Sequence, residues 1–185
     1  MDWWTPSKVY KGGSTVRGYQ VPLAKFPVFH RKGSILPLDV KNSYGGHGDA
    51  RSAPYLTLLI SHLSADAYAA VREEGTATNP VAQEFRYGFD SANRELTFSA
   101  TAHSRKLLLL IRGVQVDQNL RVAMQHSTTN SDADVIVERS SLAKLYNAGQ
   151  GWFYNHAKSE LWIIPGESSA GLLINLQGIQ EEPVY

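Results

Sequence analysis

The adjacent acids Glu73 and Glu74 are the nearest approach in this chain to a catalytic carboxylate pair or a calcium loop. Neighbouring residues of an extended segment project to opposite faces, so the two carboxylates do not converge on one bond. Calcium loops need acidic oxygens at alternating positions, and Asp66 lies too far back to supply one. The pair reads as a solvated turn. Six histidines, His30, His47, His62, His103, His126 and His156, never fall two or four residues from one another, so metal-ligand spacing is absent. His47 with Asp49, in a glycine-rich stretch, reads as a hydrogen-bonded loop pair. Cysteine is absent, which removes disulfides, thiolate metal sites and a thiol nucleophile. No Gly-x-Ser-x-Gly elbow anchors a hydrolase triad, and no residue pattern calls for a cofactor.

Aromatic residues offer a different chemistry. Trp152 and Tyr154 share one face of a strand-length run with Phe153 on the other, and Trp162 sits in the next run. A row of exposed aromatic planes stacks the C–H faces of sugar rings, which makes Trp152, Tyr154 and Trp162 the candidates for oligosaccharide binding. The competing reading places them in the core or in a seal against a neighbouring domain. Large aromatics are mostly buried, so that reading is preferred.

The elements that position these residues read as strands and turns nearly throughout. Runs at 55–61, 68–72, 83–89, 95–101, 106–112, 119–122, 135–137, 143–146, 152–154, 160–164 and 170–175 are of strand length, with turn residues such as Asp90-Ser91-Ala92-Asn93 between them. The continuous apolar run 107–111 is too short for a buried helix and predicts a central strand covered on both faces. Upstream, 14–21 and 25–31 read as a short meander, with Pro27 confining the second strand to an edge or bulge and Gly12-Gly13 forming a hairpin turn. Residues 39–53 are polar and glycine-rich and mark a domain boundary or a long loop. The expected fold is all-β, an antiparallel β-sandwich over 51–185 preceded by a β-meander within 1–50.

Composition narrows the class further. A chain of 185 residues buries roughly 70% of its extended surface, enough for a real core. Acids and bases nearly balance at a net charge of +1, so the total gives no footprint for nucleic acid or an anionic membrane. No apolar run approaches the roughly 20 residues that span a bilayer, and the start is not a signal peptide. There is no Asn-x-Ser/Thr acceptor.

The first forty residues carry a resemblance. Trp3-Trp4-Thr5, then Tyr10-x-Gly12-Gly13-x-Thr15, then Pro22-Leu23-x-x-Phe26-Pro27-Val28-Phe29-x-Arg31-x-Gly33-Ser34-Ile35-Leu36-Pro37 follow the order and spacing of the segment after the catalytic barrel in glycoside hydrolase family 31. This is the α-glucosidase and α-xylosidase family, where the segment reads W-x-D-x-W-T-G, Y-x-G-G-x-T and A-P-L-D-x-I-P-V-F-V-R-x-G-S-I-I-P. The likeness continues loosely through Val71-Arg72-Glu73-Glu74-Gly75-Thr76, at the place of an aromatic-acid-acid-Gly turn, and Ile111-Arg112-Gly113-Val114, at the end of a strand.

The resemblance implies that residues 1–50 are the C-terminal part of a proximal β-sandwich module and 51–185 a distal β-sandwich domain, with the catalytic barrel lying upstream. It implies a non-catalytic accessory role, buttressing the barrel of an enzyme that hydrolyses α-glucosides or α-xylosides with retention and without a cofactor. The family's W-x-D-M-N-E nucleophile motif has no counterpart, so no catalytic residue is carried over. Trp3, Trp4 and Arg31 are the barrel-interface candidates, Arg31 with a solvated hairpin as its equal alternative. The alternative function is a stand-alone carbohydrate-binding β-sandwich. An open sheet edge on residues 1–38 is expected either to dock on the distal sandwich or to pair two copies in an edge-strand dimer.

Overall fold

The computed structural model describes residues 1–5, 8–22, 24–64, 69–73, 83–102, 105–126, 133–166 and 171–183. Asp66, His103 and the Glu74-Gly75-Thr76 part of the acidic turn lie outside them. Among the described residues, the elements in chain order are β1 (Ile35–Leu38), a 3-10 turn (Ala50–Ser52), β2 (Tyr55–Ser61), β3 (Ala69–Glu73), β4 (Gln83–Asp90), β5 (Glu95–Ala100), β6 (Lys106–Arg112), β7 (Val114–His126), β8 (Asp134–Val135), α1 (Leu142–Ala148), β9 (Gly151–Asn155), β10 (Glu160–Ile164) and β11 (Leu172–Glu181). They form an all-β sandwich of two sheets, ordered β1-β2-β6-β10-β9 and β3-β4-β5-β11-β7-β8. Every strand pairing is antiparallel except β2 with β6, which run parallel from Tyr55 opposite Lys106 to Ser61 opposite Arg112.

Alternation of side chains divides the packing into two layers. Leu56, Leu58 and Ile60 of β2 and Leu107, Leu109 and Ile111 of β6 face the second sheet, meeting Phe85, Tyr87, Leu96 and Phe98. The opposite faces of the same strands, through Tyr55, Leu59, Leu108 and Leu110, pack under α1 and the N-terminal segment. Strand β6 is therefore central and covered on both sides, as its unbroken apolar run requires. Each such buried Leu or Ile contributes about 1.5–3 kcal/mol relative to an exposed one. The six-stranded sheet is half-solvated instead. In β5 buried and non-buried residues alternate, with Leu96, Phe98 and Ala100 inward.

Several expected elements differ. Residues 143–146, read as a strand, lie in α1: Ser141 caps its N-terminus by accepting from the Lys144 N–H at 3.3 Å, and Gly149, at φ +67°, closes it by donating to the Leu145 carbonyl at 3.1 Å. Leu142, Leu145 and Tyr146 fall at helical spacing and turn toward the five-stranded sheet.

The meander does not form at 14–21 and 25–31. Gly13 and Gly18 turn the chain at φ +76° and +64°, and Pro22 and Pro27 have no N–H to give a ladder. Among the described residues, sheet-type pairing in this segment is limited to the isolated bridge between Asp2 and Phe29. The strand that follows these residues is β1, which adds to the edge of the sandwich with Ile35 opposite Ile60. A strand of the sandwich thus lies on the N-terminal side of the division expected near residue 50. The polar loop that follows is folded down onto the sandwich, with His47 and Ser52 buried.

Candidate docking site

Residues 1–30 are tied to one another by main-chain and side-chain contacts rather than by a ladder, while β1 and Trp3 join the N-terminal segment to the sandwich. The Trp3 N–H donates to the Val28 carbonyl at 2.9 Å, the His30 N–H to Met1 at 3.0 Å and the Asp2 N–H to Lys8 at 3.0 Å. Asp2, 1% exposed, accepts from the Trp4 N–H at 2.8 Å, the Thr5 N–H at 3.1 Å and the Tyr19 hydroxyl. Burial raises its pKa, but these hydrogen bonds, Tyr19 foremost, outweigh it and leave the carboxyl below its ordinary value. The same contact pushes Tyr19 up to about 12. The carboxylate is thereby committed to folding its own turn.

The two tryptophans take different surroundings. Trp3 joins the apolar layer on the outer face of the five-stranded sheet and donates from Nε1 to the Gly45 carbonyl at 3.1 Å. Its ring meets His47 edge-on at 4.6 Å and His30 at 5.9 Å. Trp4 stays with the segment, donating from Nε1 to Phe26 at 2.8 Å, with the Lys25 ammonium 4.7 Å over its ring. Arg31 is exposed.

Beneath Trp3 the strand ends gather a buried polar cluster. Register places Arg112 of β6 opposite Glu160 of β10, and Nε of Arg112 lies 3.2 Å from Oε1 of Glu160, whose side chain is 2% exposed. Arg112 Nη1 also lies 3.3 Å from His47 Nε2. A guanidinium only donates, so Nε2 is the accepting nitrogen. His62, at φ +55°, lays its ring against Gly113, where the chain leaves β6 at φ +67° to cross into the other sheet as β7. A Cβ at Gly113 would stand 2.3–2.5 Å from three atoms of that ring, so only glycine fits.

Burial, then the charge of Arg112, pushes His47 down to about 3. Burial is also the main cause that takes His30 and His62 to about 4. Glu160 is pushed up by burial against the pull of Arg112, and Arg112 is pushed down by burial against the pull of Glu160. The cluster is thus three neutral imidazoles around one buried ion pair. Among the described residues, no group of three or more His, Asp or Glu is placed to hold a metal ion. Its chemistry is that of a clasp between the segment and the sheet.

The three sugar-stacking candidates do not form a row. Register sets Trp162 opposite Phe153, so Trp162 lies on the outer face of the sheet while Trp152 and Tyr154 point into the inter-sheet core. Trp152 and Tyr154 are each 8% exposed and Trp162 3%, and the Tyr154 hydroxyl donates inward to the Val114 carbonyl at 2.7 Å. None offers an open ring face to a sugar.

Exposed apolar surface collects elsewhere, on the N-terminal segment. Of the large hydrophobics exposed among the described residues, Val9, Val16, Phe26, Phe29 and Tyr44 belong to it, and Val135 and Val137 to the rest of the chain. Phe29, 47% exposed, meets Tyr10 edge-on at 5.4 Å and Tyr19 at 5.3 Å, a ring cluster that lies outside both core layers. Sequence reading selected Trp3, Trp4 and Arg31 and missed these five. Their legible signal was apolar residues placed among glycines and prolines with no period to bury them.

Comparison with known proteins fits this architecture. No family model matches the chain. An isomaltosyltransferase of Sporosarcina globispora is 24% identical over 174 residues, covering 92% of this chain and 14% of its own length. A cycloalternan-forming enzyme from Listeria monocytogenes, solved with a pentasaccharide substrate, superposes with a TM-score of 0.67 at 16% identity over 95% of this chain. The fold is that of a β-sandwich portion within such longer chains. A glycoside hydrolase family 31 dextranase of Flavobacterium johnsoniae, solved with glucose, superposes with a TM-score of 0.56 at 14% identity over 86% of this chain. This chain spans 14% to 21% of the length of these three proteins.

Proposed function

We propose that this chain is a non-catalytic accessory region of a larger glycoside hydrolase family 31 enzyme acting on α-glucans, and that its N-terminal segment docks on the catalytic barrel. Residues 1–50 are then the end of the proximal module and residues 51–185 the distal sandwich. One observation carries the reading. The segment bearing the family-like motifs is clasped from below by Trp3 and the histidine cluster, yet it presents Val9, Val16, Phe26, Phe29 and Tyr44 outward. Several large apolar residues left exposed on one anchored segment favour a surface that another domain covers. Trp4 and Arg31 lie on the same layer and belong to that contact. The similar proteins include, by sequence, one named for isomaltosyl transfer and, by fold, one named as a dextranase, which supports α-glucans as the substrate class of the parent.

Retaining glycosidases work through two carboxylates about 5–5.5 Å apart flanking the scissile bond. No residue of this chain matches the family's nucleophile motif. The isolated chain is therefore expected to release no aryl alcohol from aryl α-glucosides or α-xylosides above the buffer rate. Turnover that survives repurification and inhibitor controls would overturn the accessory reading.

A further inference from the structure

The balanced total charge conceals an uneven distribution. Residues 1–32 contain Lys8, Lys11, Arg17, Lys25, Arg31 and Lys32 against the single acid Asp2, while the whole chain is only +1, so the remainder is net acidic. Asp2 is buried, accepts from the Trp4 and Thr5 amides and the Tyr19 hydroxyl, and lines the same hollow near Lys8, so a single carboxylate offsets only part of the positive charge there. Lys32 is tied to Glu181 of β11. Lys8, Arg17 and Lys25 are exposed and line one hollow of about 410 Å³, together with Trp4, Tyr10 and Tyr19. Exposed Phe26 and Phe29 belong to the same segment, Phe29 edge-on to both tyrosines.

We infer that this hollow is a receptor for an acidic, aromatic-tolerant loop of the partner domain, with a carboxylate seated among Lys8, Arg17 and Lys25. The inference rests on the docking function proposed above and adds the chemistry of the partner surface. Three exposed cations grouped beside aromatic walls suit a carboxylate, each pair being weak in water and the selectivity coming from the set of three. Apolar contact through Phe26 and Phe29 then supplies area, while the charges supply orientation and rate of encounter. The acidic remainder of this chain repels the same partner surface, which restricts docking to this one face.

The test is titration calorimetry of the whole chain against the separately expressed catalytic portion of its parent. The charge-reversed variant Lys8→Glu/Arg17→Glu/Lys25→Glu is run beside the wild type, and its fold is checked by circular dichroism. All three positions are exposed, so the fold is expected to be retained. Association is expected to weaken at least about tenfold between about 50 and about 300 mM salt, and by a similar factor in the variant. Association that ignores both salt and the reversal overturns this inference and leaves the docking function standing. Absence of association for the wild type under all conditions removes both. Duplex DNA and phosphatidylglycerol vesicles serve as competing probes. Tighter binding to either would assign the basic face to a different class of partner and overturn the inference.

Discussion

Acidification should weaken this fold well above the pH at which ordinary carboxylates protonate. His30, His47 and His62 are 8%, 3% and 5% exposed, and their folded-state pKa values are about 4, 3 and 4 against an ordinary 6.5. For a group whose pKa is depressed by folding, the unfolded chain binds the proton first. The stabilising contribution is complete above about pH 6.5 and is lost as the pH falls toward the folded values. Each such histidine tilts stability by about 1.4 kcal/mol per pH unit in that window. Three of them, between about pH 6.5 and 5, set a ceiling of about 6 kcal/mol, and halving for water entry and relaxation of Arg112 leaves a loss of about 3 kcal/mol. That is a large part of the roughly 5–15 kcal/mol that holds a domain together. Asp2, Asp49 and Asp90 have pKa values lowered from 3.8, so their losses begin only below the window. Glu160 works in the opposite sense: its pKa is raised, and protonation relieves a buried charge. Urea unfolding at closely spaced pH values gives the slope directly. The His47→Gln variant should lose about one proton's worth of it, or about 1.4 kcal/mol per pH unit. A stability that stays flat within about 0.5 kcal/mol from pH 7 to 5 would refute the reasoning, as would an unchanged slope in the variant.

Two substitutions probe the packing. Trp162→Ala removes a 3% exposed ring from the outer apolar layer and should cost about 3–5 kcal/mol, read as a lower melting temperature; an unchanged melt would mean that the ring is not a packing residue. Gly113→Ala and Gly149→Ala form a matched pair, since both sites sit at φ +67° but only Gly113 has the His62 ring within 2.5 Å of the added methyl. The second should cost about 1–2 kcal/mol from the backbone alone, and the first about 1–3 kcal/mol more. Equal losses in chemical denaturation would contradict the close approach of His62 to the crossing between the sheets.

Legibility in the sequence followed whether a feature was local. The runs 55–61, 106–112 and 160–164 coincide with β2, β6 and β10, because a continuous apolar strand between turn residues has few alternatives. A four-residue window over 143–146 reads as a strand, although these residues lie in α1. The wider frame of Ser141, Leu142, Leu145, Tyr146 and Gly149 carries both caps and the helical period. Residues 14–21 and 25–31 have strand composition but lack a ladder, since their glycines and prolines remove the backbone geometry and donors a sheet requires. The basic character of the first 32 residues was present in the sequence but hidden by summing charge over the whole chain.

By itself, then, the sequence determined the all-β class, the doubly covered central strand and the family-like order of motifs in the first forty residues. Each depends on alternation, turn chemistry or spacing between near neighbours. Only the tertiary structure decided that Trp162 and Trp152 lie on opposite faces of one sheet, because antiparallel register sets Trp162 beside Phe153. The clasp was likewise invisible in one dimension. His30, His47, His62, Arg112 and Glu160 come from five separate places in the chain and have no shared spacing. They meet because β2 and β6 end, and the antiparallel β10 begins, at the same end of the sheet and Trp3 folds over them, so their altered proton affinities are a property of burial, which no local pattern encodes.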